Sequence, residues 1–402
     1  MPNVSKRVMF WVTGLVSGAL GLSPGIDNHF NHTSTNAKML PATKLESGRT
    51  LIIDGPASIR LIDGEAACFG GPLVPNRWVL VKSERRVPIE SSHGASLEVK
   101  IGEGAMVKEI QGSTIPGSWV EAGQIVHQAH GTVVVLGDVD SGKSSLSTYL
   151  ANVCHSNGLT VTVIDADIGQ ADIGPPTTIS GASLTDVVYS LQDLSPEASF
   201  FVGDTTPGAV PEKVIHGAIR VRSHLKSSEV MIVNTDGWIE GVEGLTYKLK
   251  LLEELRPNIA LGLGVEPELD LILDSQNFTA LKLGQSEYAR PRSREERKRA
   301  REAGYRKFLE GSQRRELRLD KLWIRPFNHP EPADLATIRP LRGLLTGLIG
   351  SDEMLLGISR LLGVKGKRIS LETKILEENP SVIELGAVRL SPEYEETGYS
   401  HM

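Results

Sequence analysis

The 402-residue sequence predicts an α/β protein whose central domain holds a mostly parallel sheet, flanked by small N-terminal and C-terminal β domains. Three observations predict it. Residues 46–127 and 319–402 carry short β-rich runs broken by Gly, Pro and Asp-Gly, without a helical period. Between them, within residues 128–318, fully apolar runs alternate with helical segments, as in a parallel sheet wrapped by helices. Residues 288–318 form a block dominated by Arg and Lys, in a chain whose net charge is −6.

Composition sets the outer bounds. At 40% hydrophobic and 23% charged residues the chain reads as globular, with material for two or three domains. The acidic balance excludes a generally basic nucleic-acid coat, so any polyanion site must be a local patch. Cys68 and Cys154 are the only cysteines, which argues against a disulfide framework and a cysteine-ligated metal. A cytoplasmic protein without a membrane partner is the resulting expectation.

Residues 1–45 come first and fit no domain. Lys6-Arg7 precede a weakly apolar run, residues 8–22, that resembles a signal-peptide core and is too short for a comfortable membrane span. The polar stretch NHFNHTSTNAK that follows favours a poorly ordered leader, or an upstream start codon with the true start near Met39. In residues 46–127 the runs TLIIDG, SIRLIDG, WVLVK, ASLEVKIG and GSWVEAG read as strands.

The central domain opens at Gly131. TVVVL (132–136), LTVTVI (159–164), SFFVG (199–203), EVMIVN (229–234) and IALGL (259–263) read as buried strands. A helix over 143–155 places Leu146, Leu150, Val153 and Cys154 on one face. Between the first strand and this helix lies Gly137-Asp138-Val139-Asp140-Ser141-Gly142-Lys143-Ser144, followed by Ser145. It satisfies GxxxxGK[ST] in the strand–loop–helix context the pattern requires, which makes this a P-loop NTPase domain. The loop aims backbone N–H groups at phosphate oxygens, and the helix N-terminus adds the positive end of its dipole. Lys143 reaches the β- and γ-phosphates, and Ser144 offers its hydroxyl to Mg²⁺. Asp138 and Asp140 are unfavourable beside phosphates, so their side chains are expected to point outward.

Later strand ends supply more candidates. VIDADIGQ brings Asp165 and Asp167 to the carboxyl edge of the sheet, where ligands bind in open α/β folds. An acidic residue there can hold Mg²⁺ through water or accept a proton from an attacking hydroxyl. Spacing does not divide these roles, and the pair also fits turn aspartates that cap the next element. Thr205 and Thr206 of GDTTPG line the same crevice or simply end a strand. Trp238 of TDGW suits a stacking platform for a base, or a tryptophan packed under a loop. From Arg290 to Arg301, seven of twelve residues are Arg or Lys, with Arg297 and Arg301 at i and i+4 on one helical face. Such guanidinium forks suit a lid over a transferring phosphate, a nucleic-acid backbone, or a solvated charged helix.

Taken in this order, GDVDSGKSS, DADIGQ, GDTTPG, the TDGW clasp and the lid pattern of Arg292-Ser293, Arg297 and Arg301 resemble the polynucleotide 5′-hydroxyl kinases of RNA processing. That family includes the kinases of tRNA splicing, pre-mRNA cleavage and ribosomal-RNA processing, and archaeal relatives. The resemblance covers roughly residues 46–402. It implies transfer of the γ-phosphate of ATP or GTP to the 5′-hydroxyl of RNA or DNA, with Mg²⁺, alongside RNA-processing proteins. It also implies roles: Lys143 and Ser144 on phosphates and metal, and Asp167 as general base. Asp165 and Gln170 would support the metal and its water, and Trp238 would hold the acceptor end. Arg292, Arg297 and Arg301 would stabilise charge in transfer. Some relatives bind ATP as catalytically silent scaffolds, a rival that the intact Lys143, Ser144, Asp167 and lid arginines oppose. A switch-type NTPase is opposed by the lack of an N-K-x-D guanine signal.

Overall fold

A computed structural model describes residues 38–275, 278–328 and 341–400. The expectation for residues 1–37 lies outside the described residues. Residues 38–45, grouped with that leader, instead pair into the N-terminal domain, and Leu45 is buried in its core.

That domain packs two five-stranded sheets. One runs β1 (Lys38–Met39), β9 (Ala95–Ile101), β4 (Ala57–Gly64) and β7 (Trp78–Val81), with β2 (Thr43–Leu45) also on β9. The other runs β10 (Met106–Gln111), β3 (Arg49–Asp54), β8 (Arg86–Ser91), β5 (Ala67–Cys68) and β6 (Gly71–Pro72). Alternation along β9 turns Ala95, Leu97 and Val99 inward to meet Ile53, Ile59 and Ile89.

One run differs from its expected form. GSWVEAG is not a strand but the start of α1 (Gly117–Ala129), which buries Trp119, Ala122, Gly123 and Val126. Those positions repeat at the helical interval, yet only two are large and apolar, so the period is faint. Their burial against α2 (Lys143–Ser156) ties α1 to the central domain.

The central seven-stranded sheet has the order β14-β13-β12-β15-β11-β16-β17. In chain order these are β11 (Gly131–Gly137), β12 (Val161–Ala166), β13 (Thr178–Ser183), β14 (Ala198–Phe201), β15 (Val230–Thr235), β16 (Ile259–Leu263) and β17 (Thr279–Leu283). β12, β15, β11, β16 and β17 run parallel, and β13 is antiparallel to both its neighbours. Along β11, Val133 and Val135 enter the core shared with α1 and α2. Val134 and Leu136 enter the opposite core, shared with α3 (Pro211–His224), α4 (Gly241–Leu255) and α5 (Pro267–Leu273). A strand covered on both faces must be apolar throughout, which is why it was legible.

The C-terminal seven-stranded sheet runs β18 (Gln313–Arg318), β22 (Arg368–Thr373), β21 (Leu355–Lys365), β20 (Leu344–Ile349), β23 (Val382–Leu390) and β19 (Trp323–Arg325), with β24 (Glu396–Tyr399) on β23. β18 therefore belongs to this sheet and not to the end of the basic segment. That segment forms α6 (Arg294–Leu309), started by a capping box in which Ser293 and Glu296 satisfy each other's backbone N–H groups. Its far end buries Tyr305 and Leu309 against Leu345, Val388 and Phe201. The helix is thus anchored on the C-terminal sheet while its start reaches the P-loop. No helix among the described residues is long and apolar enough to cross a membrane. Cys68 and Cys154 are buried free thiols.

Candidate active site

The parallel register brings the carboxyl ends of β11, β12 and β15 side by side, and the loops leaving them form one cavity of about 470 Å³. Its lining includes Lys143, Ser144 and Ser145 of the P-loop, Asp167, Gln170, Thr205 and Trp238. Arg292, Arg297 and Arg301 close the same space. The predicted residues thus largely converge, with four exceptions: Gly137 and Ser141 of the P-loop do not border the cavity, Asp165 is buried at 1% exposure and does not line it, and Thr206 caps a short 3₁₀ turn.

The P-loop turns through Asp140, which takes a left-handed φ of 58°, and through Gly142 at 101°. Lys143 is 6% exposed and its ammonium donates to the Asp138 carbonyl at 2.6 Å. Burial lowers its pKa to about 8, against the attraction of Asp167. Gly237 of the clasp lies so close to the loop that a Cβ there would sit 2.6 Å from the Val139 nitrogen.

The expectation that both loop aspartates point outward needs correction. The Asp140 carboxylate, 9% exposed, faces the lid. Its Oδ1 accepts from Arg292 Nε at 2.8 Å, and its Oδ2 accepts from the Arg292 backbone N–H at 2.9 Å and Arg297 Nη1 at 3.2 Å. The acidic residue that is unfavourable beside phosphate serves to hold two guanidinium groups there. Arg301 is committed elsewhere: its guanidinium binds the carboxylate of Glu396 on β24.

Hydrogen bonding separates the two aspartates of β12. Asp165 accepts at Oδ1 from Asn234 Nδ2 (3.0 Å) and the Asp167 N–H (3.3 Å), and at Oδ2 from the N–H groups of Asp172 (2.5 Å) and Ile173 (3.3 Å). Burial, with Asp172 and Asp167 nearby, still pushes its pKa up to about 7. Asp167 accepts the Gly169 and Gln170 N–H groups at Oδ1 alone, 3.1 and 2.9 Å, and borders the cavity. Burial also raises its pKa, while Lys143 opposes the rise.

Sequence reasoning passed over Asn234, whose amide also donates to Ser144 Oγ at 3.4 Å and so links P-loop and β12. Its position at a strand's carboxyl end is the signal that singled out Asp165. Beneath the clasp, Asp236 accepts from Tyr247 Oη at 2.7 Å, and the ammonium of fully buried Lys248 lies 3.0 Å from the same carboxylate oxygen. Trp238 rests on Tyr247 with ring centroids 5.4 Å apart and planes 22° from parallel. It is half-buried and borders the cavity, so the packing and platform readings are both partly met.

The donor set can be tested for a magnesium ion. Among the described residues no group of three or more His, Cys, Asp or Glu converges, which suits an ion held by one or two protein oxygens plus substrate phosphates. The oxygens at the cavity include the Ser144 hydroxyl and the Asp167 carboxylate, and the buried Asn234 Oδ1 has no partner among the described residues. Hydroxyl, carboxylate and an orphaned acceptor fit a hydrated hard cation.

Three comparisons bear on identity. The family model for the mRNA cleavage and polyadenylation factor CLP1 P-loop matches residues 137–311. A polyribonucleotide 5′-hydroxyl-kinase of Pyrococcus horikoshii is 38% identical over 182 residues, 45% of this chain and 50% of that protein, so the match spans half that relative's length. A polyribonucleotide 5′-hydroxyl-kinase of Pyrococcus furiosus is 31% identical over 318 residues, 66% of this chain and 89% of the relative. The fold is shared with Clp1p in its solved complex with Pcf11p, at a TM-score of 0.69 and 14% identity, covering 89% of this chain and 98% of that one. Similarity along 89% of a relative reaches far beyond a generic phosphate-binding loop: the chain belongs to the family of polyribonucleotide 5′-hydroxyl-kinases that the CLP1 P-loop model describes.

Proposed function

We propose that this protein transfers the γ-phosphate of ATP to the 5′-hydroxyl of RNA, as an enzyme of RNA processing. One observation carries the reading: Lys143, Asp167, Trp238 and the lid arginines line a single cavity, so donor, acceptor and charge-stabilising groups share one space.

The chemistry follows from position. The P-loop N–H groups and Lys143 hold the triphosphate with its γ-phosphorus toward Asp167. The open oxygen of Asp167 takes the proton of the 5′-hydroxyl as that oxygen bonds to the γ-phosphorus. The bond from phosphorus to the bridging β,γ oxygen breaks, its electron pair leaves with ADP, and the product is a 5′-phosphorylated strand. Arg292 and Arg297, held at the P-loop by Asp140, sit where charge spreads in the transition state. Ser144 would hold Mg²⁺, with Asp167, Asp165 and Asn234 near its water shell, and the ion would neutralise phosphate charge when bound. Thr205 and Gln170 flank the acceptor side, and Trp238 offers a face to the terminal base. GTP is the alternative donor, because the P-loop grips phosphates and reads no base. DNA is the alternative acceptor, and RNA-processing proteins are the partners this role implies.

Incubation with γ-labelled ATP and a 5′-hydroxyl oligonucleotide tests the reading. Label should pass to the oligonucleotide, and Asp167→Asn should abolish transfer while ATP still binds. Binding of ATP by the unaltered protein with no transfer to RNA or DNA would leave a scaffold.

A further inference from the structure

A second cavity, of about 750 Å³, opens beside the first, between the N-terminal domain and the lid helix. The two adjoin: Arg85, Gln170, Asp172 and Arg301 border both. Gln170 sits at the junction, its amide donating to the Arg297 carbonyl at 3.4 Å and its buried Oε1 lacking a partner among the described residues.

Charge distinguishes this groove from the rest of an acidic protein. Lys82 and Lys100 enter from the N-terminal domain, Arg306 and Lys307 from α6, and Lys374 from the end of β22. None of the five pairs with a carboxylate among the described residues; Lys100 lies over the Trp78 ring at 4.2 Å, and Lys374 donates to the Lys307 carbonyl at 3.1 Å. Only Asp172 and Glu310 bring carboxylates to the lining, and Asp172 is tied to Arg85. Lys82 and Lys307 are exposed, yet desolvation between the groove walls lowers both from the usual lysine range, and Lys82 works in the same direction on Lys307. Asp193 favours both charges, but its carboxylate is already held by the N–H groups of Tyr189 and Ser190. A concave strip of unneutralised cations, drawn from the N-terminal domain, the lid helix and the C-terminal domain, is arranged for a linear polyanion.

We propose that this groove is the exit path of the acceptor, holding phosphates of a single-stranded RNA downstream of its 5′ end, with Lys82 and Lys307 gripping it from opposite walls. The inference rests on the kinase reading for the strand's direction, because the 5′ end must sit in the first cavity. Its physical content is separate, since it concerns binding and not transfer.

The test compares the full chain with Lys82→Gln/Lys307→Gln, two substitutions at exposed positions away from the catalytic cavity. A 3′-fluorescein dodecanucleotide RNA reports affinity by anisotropy across a salt series. Losing two phosphate contacts should weaken binding about 10-fold near 0.1 M salt and flatten the log–log salt slope by about 1.4. Lys82→Arg/Lys307→Arg should restore both. In steady-state transfer, KM for the dodecanucleotide should rise by a similar factor, with kcat, KM for ATP and KM for a dinucleotide acceptor unchanged. Equal dodecanucleotide affinity and slope in the Gln variant would overturn the proposal, as would an equal rise in KM for the dinucleotide. If no acceptor is phosphorylated by the unaltered chain yet anisotropy responds as stated, the groove stands and the kinase reading falls.

Discussion

Arg301 on the lid helix and Glu396 on the last strand of the C-terminal sheet meet side-on, Nε to Oε1 at 2.6 Å and Nη2 to Oε2 at 2.8 Å. Both side chains are largely buried, at 15% and 4% exposure, and the next residues of that strand continue to Tyr399, whose hydroxyl lies 2.9 Å from Thr205 Oγ1. One strand of the C-terminal domain thus braces both α6 and the loop that carries Thr205. Removing one partner of such a pair strands the other's charge, so Glu396→Ala should cost about 3 kcal/mol in urea unfolding. The double variant with Arg301→Ala should lose less than the sum of the single variants, by about 1–3 kcal/mol. Strict additivity would show that the contact carries no coupling.

Asp140 gives a second prediction. It is the sole carboxylate on Arg292 and Arg297 among the contacts described, and it belongs to the loop that receives the triphosphate. Asp140→Ala removes a negative charge from the phosphate site and also frees the lid arginines. Affinity for ATP should therefore hold or tighten, whereas kcat should fall at least 10-fold, because positioned positive charge is what in-line transfer needs. Loss of ATP affinity with kcat intact would place Asp140 in nucleotide binding instead. Calorimetry with ATP and initial-rate kinetics separate the two.

The contrast between Asp140 and Asp165 shows what the sequence made legible. β11 and the P-loop were readable because a strand buried on both faces and a phosphate loop each leave an unambiguous pattern. β13 was not: TISGAS has one large apolar residue, and its buried hydroxyls are satisfied laterally, Ser180 to Ser199 at 2.8 Å and Thr178 to Ser180 at 3.2 Å. α1 hid behind a faint period. Within the site, residue identities came through because motifs sit at strand ends, but partners did not. That Asp140 faces Arg292, 152 positions away, or that Arg301 faces Glu396, 95 away, is fixed by tertiary packing that local spacing does not encode.

Protonation supplies a third prediction. The proposed mechanism requires Asp167 deprotonated and Lys143 protonated. Burial raises the Asp167 pKa, so activity should be lost as pH falls through a value above the ordinary carboxylate range. Burial lowers Lys143 to about 8, so kcat/KM for ATP should decline as pH rises through that value in the free enzyme. Bound triphosphate favours the ammonium form, so kcat should keep its plateau to higher pH. Lys143→Arg should remove the alkaline limb at whatever rate remains, since a guanidinium stays charged. An alkaline limb near 8 that survives in that variant would assign the titration to another group.

Trp238 supplies a fourth prediction, on how the proposed acceptor is held. Its ring rests on Tyr247, which is hydrogen-bonded to Asp236, so the indole is backed by a packed aromatic ring. Stacking of a base on an aromatic face is worth about 1–3 kcal/mol and tolerates any base. Trp238→Ala should therefore raise KM for a dinucleotide acceptor about 10-fold or more, with little dependence on the identity of its first base. KM for ATP should not move, because the P-loop and not the indole grips the phosphates. Trp238→Phe should recover part of the loss. Removing the indole could also loosen Tyr247 and, through Asp236, the clasp that touches Val139. Tyr247→Phe separates the two effects: it keeps the stacked ring but deletes the hydroxyl. If Tyr247→Phe matches Trp238→Ala in both KM values, the tryptophan acts by holding the clasp. If only Trp238→Ala weakens the acceptor, the base stacks on the indole.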